Sequence, residues 1–253
     1  MTAARRGGEG RGPGGRAPTR PRAGERRTPA PKFRRIARAE RREALIAATL
    51  RCLRKCGHDG ASVRRISAEA GVSMGLINHH FAGSASLIAA AYESLSVALI
   101  EANRRDAEAS RGLAPRARLG RFFEASFAPE ALDPGLFRIW LVFWSMVDHA
   151  PEIRAVHQRT GAQHRAVLEA LLGALRRAPR VPPFRIAPAA VGLAALMNGL
   201  WVDLSLNPAS PTAADAVARC NDWVAALAAG AFPGLASGAS AAALPRIRRR
   251  RRS

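Results

Sequence analysis

The chain has 253 residues, 48% of them hydrophobic, with forty Lys and Arg against nineteen Asp and Glu for a formal charge of +21. That length excludes a mini-protein and suits one medium domain or two small ones. The charge sits at the ends: residues 1–42 carry +11, residues 246–253 carry +6, and the long middle only +4.

Three cysteines, Cys52, Cys56 and Cys220, are too few and too odd in number for a disulfide framework, which predicts a reducing, cytoplasmic setting. The basic N-terminal stretch lacks the apolar run of a secretory signal. The longest apolar run, Ile186 to Val202, is interrupted by Pro188 and Asn198 and reads as a buried helix, so no membrane partner is expected.

Residues 1 to about 33 are Gly, Pro, Arg and Ala with almost nothing to bury, and they are expected to be disordered. Either they attract nucleic acid phosphates without specificity or they are a solvated extension, and composition leaves both open. Helical spacing starts at Ile36 and runs through Leu45, Ile46, Leu50 and Leu53 to Gly57, a C-cap candidate. A second helix runs from the N-cap candidate Ser62 through Ile66 to Gly71, and a third, short one from Ser73 to His80. A fourth carries Leu87, Ile88, Ala91, Leu95 and Leu99 on one side from Ser84 to about Asn103. Beyond Gly112 the prolines mark starts and connections, which predicts helices over 115–127, 134–148, 151–178, 187–206 and 211–229. No alternating strand pattern or internal repeat is present, so the fold class is all α. The expected organisation is a disordered basic tail over 1–35, a unit of short helices over 36–83, a unit of longer helices over 84–232, and a second disordered basic tail over 233–253.

The stretch SVRRISAEAGVSMGLINHHF, Ser62 to Phe81, carries the functional signal. Two short helices around Ala70-Gly71-Val72-Ser73 make the tight glycine corner of a helix-turn-helix, whose second helix enters the major groove of double-stranded DNA. Ile66, Ala70, Val72 and Ile77 are expected to pack inward. Arg64, Arg65 and Ser62 are the phosphate candidates.

This stretch resembles the TetR family of bacterial transcriptional regulators: Gly57, Ser62-Val63, Ile66-Ser67, Ala70 to Ser73, Gly75, Phe81 and Leu87 fall where that family places such residues. The resemblance implies a recognition helix over Ser73 to His80, with Ser73, Met74, Gly75, Asn78, His79 and His80 facing DNA, and Asn78 suited to pair with adenine. Asn78 and Ser84 stand where the family usually has Tyr and Lys, which shifts backbone affinity toward the arginines. Phe137 to Gln158 and Gly192 to Trp201 further resemble the Bet-type repressors of choline and glycine betaine genes, although Asn198 stands where those usually have Asp. The resemblance implies a homodimer released by a small effector, choline or a related cation.

Phe137, Trp140, Trp144 and Asp148 are spaced to share one helix face, and Trp201 lies one turn beyond Asn198. Aromatic faces with a carboxylate suit a quaternary ammonium, while the same stripe also fits ordinary core packing. His79 and His80, being adjacent on a helix, cannot readily share a ligand, and Cys52, Cys56 and His58 fall short of a zinc site. His149, His157 and His164 are expected in solvent or core roles. No phosphate loop, dinucleotide glycine pattern, serine nucleophile motif or paired carboxylate cluster is present, so neither an enzyme nor a cofactor or metal is expected. The competing class is a non-specific nucleic-acid binder driven by its arginine tails, and a milder rival is a TetR-type regulator answering another, apolar effector.

Overall fold

The computed structural model describes residues 31–207 and 211–237. Among these the chain forms α1 (Pro31–Cys56), α2 (Val63–Ala70), α3 (Met74–His80), α4 (Ser84–Ala109), α5 (Pro115–Ser126), α6 (Pro134–Met146), α7 (Pro151–Arg176), α8 (Ile186–Leu206) and α9 (Ala213–Ala228). The described residues hold no strand beyond one isolated antiparallel bridge, Phe184 to Ala236, as an all-α chain requires. The chain divides into two compact units after Arg38, and the unit that begins at Ala39 holds most of α1 and all of α2 to α9.

Several boundaries differ from expectation, and α4 runs on to Ala109, past its expected end near Asn103. Helix α1 starts at Pro31, inside the stretch expected to be disordered, because proline is suited to a first helical turn. The rest of that expected tail, residues 1–30, lies outside the described residues. At the other end, Pro233–Leu235 form a short 3₁₀ turn, and the Arg185 and Ser237 amides donate to the carbonyls of Leu235 (2.7 Å) and Pro183 (3.1 Å). Residues 233–237 are therefore structured, contrary to the expected second tail, whose remainder lies outside the described residues. Helix α6 ends at Met146, so Asp148 sits in the turn after the helix and not on its face.

Two hydrophobic clusters organise the packing. The first joins Leu45 and Leu53 of α1, Ile66 of α2, Ile77 of α3 and Leu87 of α4 with Phe143 of α6 and Ile153 of α7. The second joins Ile100 of α4, Leu119 and Phe122 of α5, Leu168 of α7, Leu193 of α8 and Cys220 of α9. Helices α4 and α7 make the most extensive helix pairing, and both run from the first cluster into the second. The helix-turn-helix core is thus continuous with α6 and the start of α7, so a movement of those helices reaches it through packed side chains.

By length and composition alone, α4 and α8 are apolar enough to cross a membrane. In the structure α4 packs on α5 and α7, and α8 on α7 and α9.

Candidate nucleic-acid interface and effector cavity

The corner forms for local reasons. The Ser62 hydroxyl accepts from the Arg65 amide at 3.3 Å and starts α2. Gly71 takes φ +65° at the end of α2, where the Gly71 and Val72 amides donate to the carbonyls of Ala68 (3.2 Å) and Ser67 (2.9 Å). That paired closure needs a left-handed residue, which glycine adopts without a Cβ penalty. Phe81 closes α3, its amide donating to the Ile77 carbonyl at 2.8 Å, and the Arg42 guanidinium lies 5.1 Å from the Phe81 ring centroid. Glu69 on α2 accepts from Arg51 (2.8 Å) and Lys55 (3.2 Å) of α1, and these hydrogen bonds hold its carboxyl below the usual range.

Of the predicted interface residues, Ser62, Arg64, Arg65, Ser73, Met74, Gly75, Asn78 and His79 are exposed and His80 is half-buried. The contrast within α3 is sharp: Ile77 is 0% exposed and Met74 55%. A buried anchor under an outward face of Ser73, Met74, Gly75, Asn78 and His79 gives the short helix one fixed presentation.

Five helices, α4 to α8, line a cavity of about 490 Å³ that opens to solvent, in the region where α4 and α7 pass from one cluster to the other. Trp140, Trp144, Asp148, Asn198 and Trp201 line it, Asp148 from the turn after α6 and not from the helix face that its spacing implied. Phe137 does not; it is buried behind Trp201, with ring centroids 5.2 Å apart. Trp144 stands between Trp140 and Trp201, 6.1 Å from each. The Trp201 indole N–H donates to the Ala131 carbonyl at 2.8 Å, which fixes that ring. Arg154 donates to the carbonyls of Val147 (3.1 Å) and Asp148 (2.6 Å), holding the turn that brings Asp148 to the rim. Asp148 is the only Asp, Glu, Lys or Arg among the described lining residues.

Sequence reasoning missed several walls. Tyr92 packs flat on Phe143 (4.5 Å) and edge-on to Trp140 (5.4 Å), and its hydroxyl lies 2.6 Å from His157 Nδ1. Burial pushes the phenol up to about 12, with a hydrogen bond from Trp144 pulling the other way. The hydroxyl therefore stays protonated and is paired with the His157 ring nitrogen. His164 also lines the cavity, and burial lowers it from the ordinary imidazole range, so it is neutral near pH 7. His157 and His164 thus belong to the cavity, not to solvent or plain core. Ser96 and Asn103, both buried on α4, complete the wall that Tyr92 begins. The usable signal was their spacing, since 92, 96 and 103 repeat one face of α4.

Residues 45–91 match the bacterial regulatory proteins of the tetR family, and residues 115–229 match the C-terminal domain of BetI-type transcriptional repressors. The chain is 31% identical over 184 residues to the HTH-type transcriptional regulator BetI of Serratia proteamaculans, covering 73% of this chain and 90% of that protein. The BetI of Burkholderia thailandensis is 32% identical, with coverage of 73% and 91%. Among solved structures, a transcriptional regulator from Pseudomonas aeruginosa PAO1 superposes with a TM-score of 0.71 at 42% identity, over 79% of this chain and 96% of that one. A regulator from Saccharomonospora viridis, solved in complex with choline, shares the fold at 19% identity and a TM-score of 0.63, over 74% of this chain and 96% of that one. These relatives regulate transcription and are not enzymes; the chain belongs to the TetR family of bacterial transcriptional regulators, with a C-terminal half of the BetI type.

Proposed function

We propose that the protein is a cytoplasmic repressor that binds palindromic operator DNA as a homodimer and is released when a choline-like cation enters the cavity. The observation that carries this reading is the outer face of α3, exposed around a fully buried Ile77. Such a face suits a major groove, where the Asn78 amide pairs with adenine. Arg64, Arg65 and Ser62 at the start of α2 meet phosphates and set the register. Residues 36–83 take the DNA-binding role and residues 84–232 the effector and dimer roles. Helix α8 leaves Val191 and Leu206 exposed, and with α9 it offers a face for a four-helix bundle with a second copy.

A quaternary ammonium suits the cavity because three indole rings and a phenol ring border it, Asp148 stands at its rim, and no Lys or Arg is among its described walls. The choline complex of the Saccharomonospora viridis regulator supports this reading by fold alone. Tyr92 and Phe143 belong to the same packed cluster as Ile66 and Ile77, so a ligand that favours one placement of α4 and α6 biases the DNA-binding heads. A tenfold loss of operator affinity needs only about 1.4 kcal/mol of such coupling.

Footprinting on DNA flanking the gene tests the reading, using the full chain and a chain lacking residues 1–30. Sequence-selective protection that survives the truncation and fades with choline or a choline ester is expected. Protection indifferent to choline and to its esters alike refutes the onium effector. Affinity that vanishes with the basic N-terminal stretch refutes the operator reading in favour of tail-driven, non-specific binding.

A further inference from the structure

The cavity is much larger than a choline head requires. At about 30 Å³ of liquid volume per water, 490 Å³ holds roughly sixteen waters, whereas choline has about seven non-hydrogen atoms. The lining is also graded along α4. Tyr92 stands at the tryptophan end, and eleven residues further Asn103 marks the other end, about 16 Å away at 1.5 Å per residue. Beyond Tyr92 the walls carry no Asp, Glu, Lys or Arg, and Leu99, Ile100, Phe127 and Met197 alternate there with the polar Asn103, Ser126 and Thr160. Between the two zones sits Ser96, 3% exposed, whose hydroxyl has no hydrogen-bond partner among the described residues. A buried hydroxyl without a partner is costly, and rotation of the Ser96 side chain toward the cavity it lines lets a ligand acceptor satisfy it. The other three hydroxyls on the wall are already used: Tyr92 pairs with His157 Nδ1 (2.6 Å), Thr160 donates to the Val156 carbonyl (2.9 Å) and Ser126 to the Phe122 carbonyl (2.7 Å).

We propose that the effector is an onium with an apolar arm, of the O-acylcholine class, and not the bare choline head. The trimethylammonium lies against Trp140, Trp144 and Tyr92, the ester carbonyl accepts from Ser96, and the acyl chain runs toward Ile100, Phe127 and Met197. A carboxylate at the far end is excluded, because no Lys or Arg is among the described walls to receive it. This inference rests on the onium reading above and extends it to the remaining two-thirds or so of the space.

The full-length protein is titrated with choline, acetylcholine, butyrylcholine and hexanoylcholine by calorimetry, and by fluorescence, since three of the four tryptophans line the cavity. Affinity is expected to rise about fourfold per added methylene, the equivalent of about 0.8 kcal/mol for each buried CH₂. Ser96→Ala weakens the esters about fivefold, the equivalent of about 1 kcal/mol for a hydrogen bond, and leaves choline unchanged. Met197→Trp, which fills the far end, weakens hexanoylcholine selectively. If choline binds as tightly as hexanoylcholine, the arm is refuted while the onium site stands. If no onium binds, or if a dimethylbutyl ester with carbon in place of the ammonium nitrogen binds equally well, the onium reading itself fails.

Discussion

Tyr92 is the only tyrosine in the chain, so alkaline titration of its absorbance reads one site at the junction of the cavity and the helix-turn-helix core. Its phenol is pushed up to about 12 by burial, against about 10 for an unfolded tyrosine. Because the folded value is raised, the unfolded chain releases its proton first, and the native advantage present below pH 10 is lost as pH climbs through 12. The slope is about 1.4 kcal/mol per pH unit, or roughly 2.7 kcal/mol across that window. The assay follows phenolate absorbance beside circular dichroism, with and without denaturant. Native protein is expected to hold its phenol until about pH 12 or until it unfolds, and Tyr92→Phe is expected to flatten the alkaline loss. A cation against the ring lowers the midpoint by favouring phenolate, while a neutral ligand raises it by excluding water. A native titration near pH 10 with the helical signal intact would refute the buried Tyr92–His157 arrangement.

Other substitutions separate the corner's framework from its outer face. Ile77→Ala, at a fully buried position, is expected to cost about 2–5 kcal/mol in denaturant unfolding and to lose DNA binding with the fold. Asn78→Ala, on the exposed side of the same helix, is expected to leave unfolding unchanged and to lower operator affinity by about 1–3 kcal/mol at one base position, read by binding to operator variants. Gly71→Ala, at φ +65°, is expected to cost about 1–2 kcal/mol in the same unfolding assay although a Cβ meets no neighbour within 4 Å. Arg54 pairs with Asp133 at 2.8 Å, and Arg138 donates to the Lys55 carbonyl at 3.3 Å, tying α1 to the helix that carries Trp140 and Trp144. Arg54→Ala is therefore expected to leave ligand affinity intact while blunting ligand-driven release from DNA, measured by mobility shift across a ligand series.

The corner was legible because its causes are local. A capping serine, a left-handed glycine and inward isoleucines are written within twenty residues, and the structure uses Ser62, Gly71, Ile66 and Ile77 in those roles. Helix boundaries at Pro115, Pro134 and Pro151 were legible for the same reason. The cavity was only half legible. Trp140, Trp144 and Trp201 announce themselves by type, but Tyr92 reads as core because its ring is core, and only the meeting of α4 with α7 brings its hydroxyl to His157. His157, His164 and Asn103 become walls through the same pairing, which one-dimensional periodicity does not contain. Phe137 shares the tryptophan spacing yet packs behind Trp201, since helical spacing fixes a face and not its depth. The start of α1 was missed because composition weighs burial over a window, and a proline-led first turn needs little of it.

Whether α3 presents its outer face to duplex DNA is tested most directly by a structure of the full-length protein on its footprinted operator. Two copies of α3 are expected in successive major grooves about 34–36 Å or a multiple apart, with Asn78 at a base edge and Arg64 and Arg65 at phosphates. A duplex held by the basic termini with α3 turned away from it would contradict that placement.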